Sequence, residues 1–216
     1  MAKLSDLIPT LAKVLPMPEQ TVAIYARLLR QARLLSTGGR GPGGAQMIPE
    51  DCARLLIAIM AADQVKDAVP AVDRFWSLPV KHRDTREKMP RRDRAEWLPL
   101  PKSLSLLTEA TSFGPAVASL IAAARDGALQ AGLGQMMKPF LTLGVERRFT
   151  TASLSLLGSL DGLVPDKKFL ISQFVLPDTP LQTLINEQPF SMGGDAMVSF
   201  AVSDRTILAL GELIKE

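Results

Sequence analysis

Apolar side chains recur at three- and four-residue steps through residues 4–60, the spacing of one face of a helix. Leu4, Leu7, Ile8, Leu11 and Leu15 predict a short helix over 3–15, broken by Pro16-Met17-Pro18. Residues 19–35 carry the clearest amphipathic pattern. At about 100° per residue, Val22, Tyr25, Leu28, Leu29, Ala32 and Leu35 share one face. Gln20, Ala23, Arg27, Arg30, Gln31 and Leu34 share the other. The stretch Ser36 to Ala45 has five glycines in ten residues and is not helical. A third helix is expected from Pro49, a favoured first-turn residue. Glu50 and Asp51 suit the positive end of its dipole. It runs through Leu55, Leu56, Ile59 and Met60 to Asp63.

Residues 65–77 fit a further helix ending near Phe75-Trp76. The texture then changes. Residues 79–101 carry Pro79, Pro90, Pro99 and Pro101, and seven of the fourteen residues from Lys81 to Arg94 are basic. This segment reads as an exposed connector. Helical bias returns over 102–138. Strand character appears in 149–156, 169–175 and 197–202, where β-branched and aromatic residues gather. Ser203-Asp204 is expected to turn the last strand into another at Thr206–Leu210. The fold class expected is α+β: three helices in front, a helical middle, and a small, mostly antiparallel sheet behind. The division expected is 1–65, 66–102 and 103–216.

Composition narrows the chemistry. Of 216 residues, 47% are hydrophobic, enough for a core. A single cysteine, Cys52, excludes a disulfide framework and a Cys-cluster zinc site. A single histidine, His82, leaves a nucleophile little choice of base. No metal or cofactor is expected, and no enzyme. Cys52 sits three and four residues before Leu55 and Leu56 and reads as core. No apolar run approaches the roughly 18–20 residues of a membrane span, and no export signal is read at the start. A cytoplasmic protein with no membrane partner is the expectation. The net charge of +3 is unevenly spread: residues 1–102 hold 17 basic against 11 acidic, and residues 103–216 hold 8 against 11. The front half therefore suits a polyanion.

Helix, turn, amphipathic helix and glycine-rich loop together suggest a winged helix-turn-helix, whose second helix enters the DNA major groove. Arg prefers guanine and Gln prefers adenine there, so Gln20, Arg27, Arg30 and Gln31 are the candidate base readers. Arg40, in the glycine loop, is the candidate wing contact. Lys81, Arg83, Arg91, Arg92 and Arg94 are candidate phosphate contacts. Thr21-Val22-Ala23-Ile24-Tyr25, the Leu34-Leu35 pair, the glycine loop and Glu50-Asp51 together resemble the winged helix-turn-helix of the MerR family over residues 4–60. The resemblance implies that shape and a DNA contact, but neither promoter untwisting nor an effector. It departs at Arg33 or Ala32, where the family has glycine, and no long dimerisation helix follows.

The function expected is sequence-specific binding of double-stranded DNA, in a transcriptional regulator. Residues 103–216 are expected to hold a second copy of the chain or a transcription component. The alternative is a protein-interaction or assembly module on the same scaffold, without DNA contact. Gly39-Arg40-Gly41-Pro42-Gly43-Gly44 matches the G-x-G-x-x-G spacing of dinucleotide sites, but a helix precedes it where a strand is required. His82 reads as a surface residue. Trp76 and Trp97, which flank the basic run, read as packing anchors, with base stacking as the other option.

Overall fold

The computed structural model describes residues 2–37, 45–136, 139–158, 167–175 and 199–215. Helices α1 (Leu4–Val14) and α2 (Glu19–Gln31) lie either side of the proline break. Asp6 closes the first turn of α1 by accepting the Lys3 backbone N–H at 2.9 Å. At the end of α2, the Leu34 N–H donates to the Leu29 carbonyl at 2.9 Å and the Arg33 N–H to that of Arg30 at 3.0 Å. This is a Schellman close, and Arg33 takes its left-handed position at φ 59°.

Helix α3 (Pro49–Ala61) is the central rod. Apart from Pro49, Glu50 and Arg54, all its residues are buried. A helix apolar on nearly every side belongs inside. Helix α4 (Ala68–Trp76) packs against it, and α5 (Phe113–Arg125) and α6 (Ala128–Leu133) follow.

The strands are β1 (Val80–Thr85), β2 (Phe140–Glu146), β3 (Thr151–Gly158), β4 (Lys167–Val175) and β5 (Ser199–Ser203). They form one antiparallel sheet in the order β1-β4-β3-β2-β5. Strands β2 to β4 run as a meander and β5 returns beside β2, which is a Greek key. Leu141, Leu143 and Val145 of β2 and Ala152, Leu154 and Leu156 of β3 alternate onto the buried face. Helix α3 and the last helix, α7 (Asp204–Ile214), pack on the sheet.

Two expectations are corrected. Residues 204–210 are helical: Ile207, Leu210 and Ile214 recur at helical spacing and are buried. In α7, a Cβ on Gly211 would lie 2.4 Å from the Cβ of Ala124, so α5 and α7 touch backbone to backbone there. Residues 80–85 are not an exposed connector but an edge strand paired with β4. The segments 1–65 and 103–216 pack together. Helix α7 packs on α1, α3 and α5, and one buried cluster runs from Leu7 of α1 to Ile214. The α+β class stands. No helix among the described residues is long and apolar enough to cross a membrane.

Candidate functional site

Helix α2 is held by Val22, Tyr25, Ala26 and Leu29, all buried. They pack it on α1, α3, α4 and the turn at Val65–Asp67. Tyr25 is a core side chain, and its burial pushes the phenol pKa above the ordinary value. The other side of α2 faces solvent. Gln20, Arg27, Arg30 and Gln31 are all exposed, and the structure brings them together as one polar stripe. Ile24 lies within it, 40% exposed. Beside the stripe, a cavity of about 450 Å³ opens between α1 and α2, with Leu4, Ile8 and Ala23 among its apolar lining and Arg27 and Arg30 among its polar lining.

Both ends of the glycine-rich stretch are pinned to α3. The carboxylate of Asp51, fully buried, accepts the Ser36 N–H at 2.8 Å and the Ile48 N–H at 3.1 Å. Arg54 donates to the Leu34 carbonyl at 3.0 Å, and its guanidinium lies 4.6 Å from the centre of the Trp76 ring. Residues 38–44, and with them Arg40, lie outside the described residues. The helix α2 precedes the glycines and α3 starts only at Pro49, so the strand–turn–helix context of a dinucleotide loop is not formed there.

The basic run divides. Arg83 is removed from the phosphate-contact set. It pairs with Ser172 in register, so its side chain turns to the buried face of the sheet. There Nε donates to the Ser172 hydroxyl at 3.1 Å, and the two Nη groups donate to the carbonyls of Thr108 and Ala110. Burial depresses its pKa. The charge is spent on tying the turn Lys102–Thr108 to the sheet edge. Lys81 is exposed on β1, where a register shift falls between Val80 and His82. Arg91 and Arg92 are exposed on a 3-10 turn, Arg91–Glu96, with Arg92 Nε 3.6 Å from Asp93. The Arg94 side chain is outside the described set. None of the principal packing partners of α2 comes from residues 79–101, so the stripe and the run are separate features.

His82 is at the surface, with Nε2 2.8 Å from Asp84. Trp97 is buried, with Lys168 Nζ 5.9 Å from its ring centre, which leaves it no face for a base. Cys52 is buried in α3, and burial pushes its thiol up to about 12. Among the described residues no cluster of His, Cys, Asp or Glu is arranged to hold a metal ion.

One important side chain had no signal in the sequence. Arg147, in the turn between β2 and β3, donates to the Met60 carbonyl at 2.8 Å and the Ile59 carbonyl at 3.4 Å. It caps the C-terminal end of α3, whose last turn has no basic residue of its own. Nothing local links position 147 to 59 and 60. No family model, no curated protein and no solved structure matches the chain.

Proposed function

We propose that the chain is a sequence-specific double-stranded DNA-binding protein, a transcriptional regulator that reads bases with the outer face of α2. The observation that carries this reading is the stripe itself. Two guanidiniums and two carboxamides stand in solvent on a helix whose other face is fixed in the core. These are the groups that bind guanine and adenine edges, and the excess of 17 basic over 11 acidic residues in the first 102 favours approach to phosphate. Lys81, Arg91 and Arg92 join the long-range field. Arg27 and Arg30 are the central base contacts, with Gln20 and Gln31 beside them.

The test is a mobility shift of the full chain on a random-sequence duplex pool, across a range of salt. Affinity is expected to fall steeply with log[salt]. Arg27→Ala or Arg30→Ala each costs about 1–3 kcal/mol of preference for the selected sequence. An Arg27/Arg30 double alanine variant with unchanged affinity and selectivity sinks the reading. The cavity between α1 and α2, apolar at Leu4, Ile8 and Ala23, favours a second one, an assembly module that seats a partner protein there. That interaction would change less with salt than DNA binding does.

A further inference from the structure

We infer that Ile24 is a specificity-determining residue that reads the C5 methyl group of a thymine in the major groove. The inference rests on the proposal that α2 is the recognition helix. Ile24 is 40% exposed, on a helix whose buried face is already filled by Val22, Tyr25, Ala26 and Leu29. The other large apolar side chains this exposed among the described residues are Ile48 and Phe140, and neither is on α2. Helix formation gives no reason for it, since a β-branched side chain is a weaker helix former than the alternatives at a solvent position.

Its neighbours supply the reason. Ile24 follows Gln20 by four residues and precedes Arg27 by three and Gln31 by seven, so all four lie on one strip of helix surface. An isoleucine has no donor or acceptor. The base feature in the major groove that an apolar side chain recognises is the thymine methyl. Gln20 or Gln31 beside it is matched to the N6 and N7 of adenine, and Arg27 to the O6 and N7 of guanine. The ligand is thus a duplex in which a thymine stands next to the base pair read by Arg27.

The experiment uses the full chain and the duplex it enriches from a random-sequence pool. Each thymidine is replaced in turn by deoxyuridine, which removes only the methyl group. Wild type is expected to lose about fourfold in affinity at one position, the equivalent of one buried methyl. Ile24→Ala, with an unchanged thermal midpoint, is expected to be indifferent at that same position, and Ile24→Val to keep part of the effect. If no deoxyuridine weakens binding, or if the loss persists in Ile24→Ala, the inference falls and the α2 reading stands. If no duplex is enriched over the pool, the α2 reading falls first and takes this one with it.

Discussion

Arg27 and Arg30 stand on the solvent side of α2, while Arg83 and Arg147 turn inward and spend their N–H groups on carbonyls of the chain itself. All four carry the same charge. What separates them is where the backbone aims them. The β1 register sends Arg83 to the same side of the sheet as Ser172. The β2–β3 turn delivers Arg147 to the open end of α3. An arginine already satisfied by buried carbonyls can be taken from them only by leaving those carbonyls unpaired. An arginine in water has its donors free to exchange solvent for a ligand. A count of basic residues therefore overstates the surface offered to a polyanion.

The sharpest way to break this contrast is stability. Arg83→Ala is expected to cost about 3 kcal/mol, since the Thr108 and Ala110 carbonyls and the Ser172 hydroxyl lose one shared donor. Arg147→Ala is expected to cost about 2 kcal/mol, as the α3 carbonyls lose their cap. Urea denaturation midpoints measure both. Neither variant should change base preference in the fraction that remains folded.

The inward rule extends to a neutral group. The folded Cys52 thiol holds its proton to about pH 12, against an ordinary thiol at 9.0. Raised folded affinity for a proton means the contribution to stability is whole below pH 9 and declines as pH climbs toward 12. Tyr25 shifts in the same direction. Denaturation midpoints at pH 7.5 and 10 should therefore differ less in Cys52→Ala than in wild type. Native Cys52 should also resist iodoacetamide at pH 8 and react once urea unfolds the chain.

Two smaller effects complete the contrast on α2. Arg33→Gly is expected to stabilise by up to about 1 kcal/mol, because φ 59° strains any side chain there. A loss of stability would mean that the Arg33 side chain makes a contact worth more than the strain. Arg27→Ala and Arg30→Ala should each move the thermal midpoint by no more than about 0.5 kcal/mol allows, as solvent positions do. A large shift in either would place that arginine with Arg83 and not with the stripe.

The helices of the front half were legible in the sequence because their signals are local. The proline break, the three-and-four spacing of α2 and the Pro49–Glu50–Asp51 start all act within a few residues. The exposed stripe followed from the same periodicity, and so did the buried positions of Tyr25 and Cys52. The failure at β1 was non-local. Strand β1 has Arg83 and Thr85 on its inward side, so it shows no apolar alternation, and only its pairing with β4 makes it a strand. Residues 206–210 are the exception: only Thr206 and Ile207 favour a strand, Leu208, Ala209 and Leu210 favour a helix, and Ile207, Leu210 and Ile214 recur at helical spacing. The sharing of one core by 1–65 and 103–216 could be read only from the packing of α7 on α1.

That packing bears on how the molecule is made. Helices α1 and α7 come from opposite ends of the described chain, and the Greek key closes only when β5 returns to β2. Contacts so far apart in sequence are slow to form, because a large loop must close before any of them gains energy. During synthesis α1 emerges before α7, and the face that it lays on α7 stays uncovered until α7 follows. Loss of α7 should therefore expose that face of α1 together with the side of α5 at Ala124 that Gly211 covers.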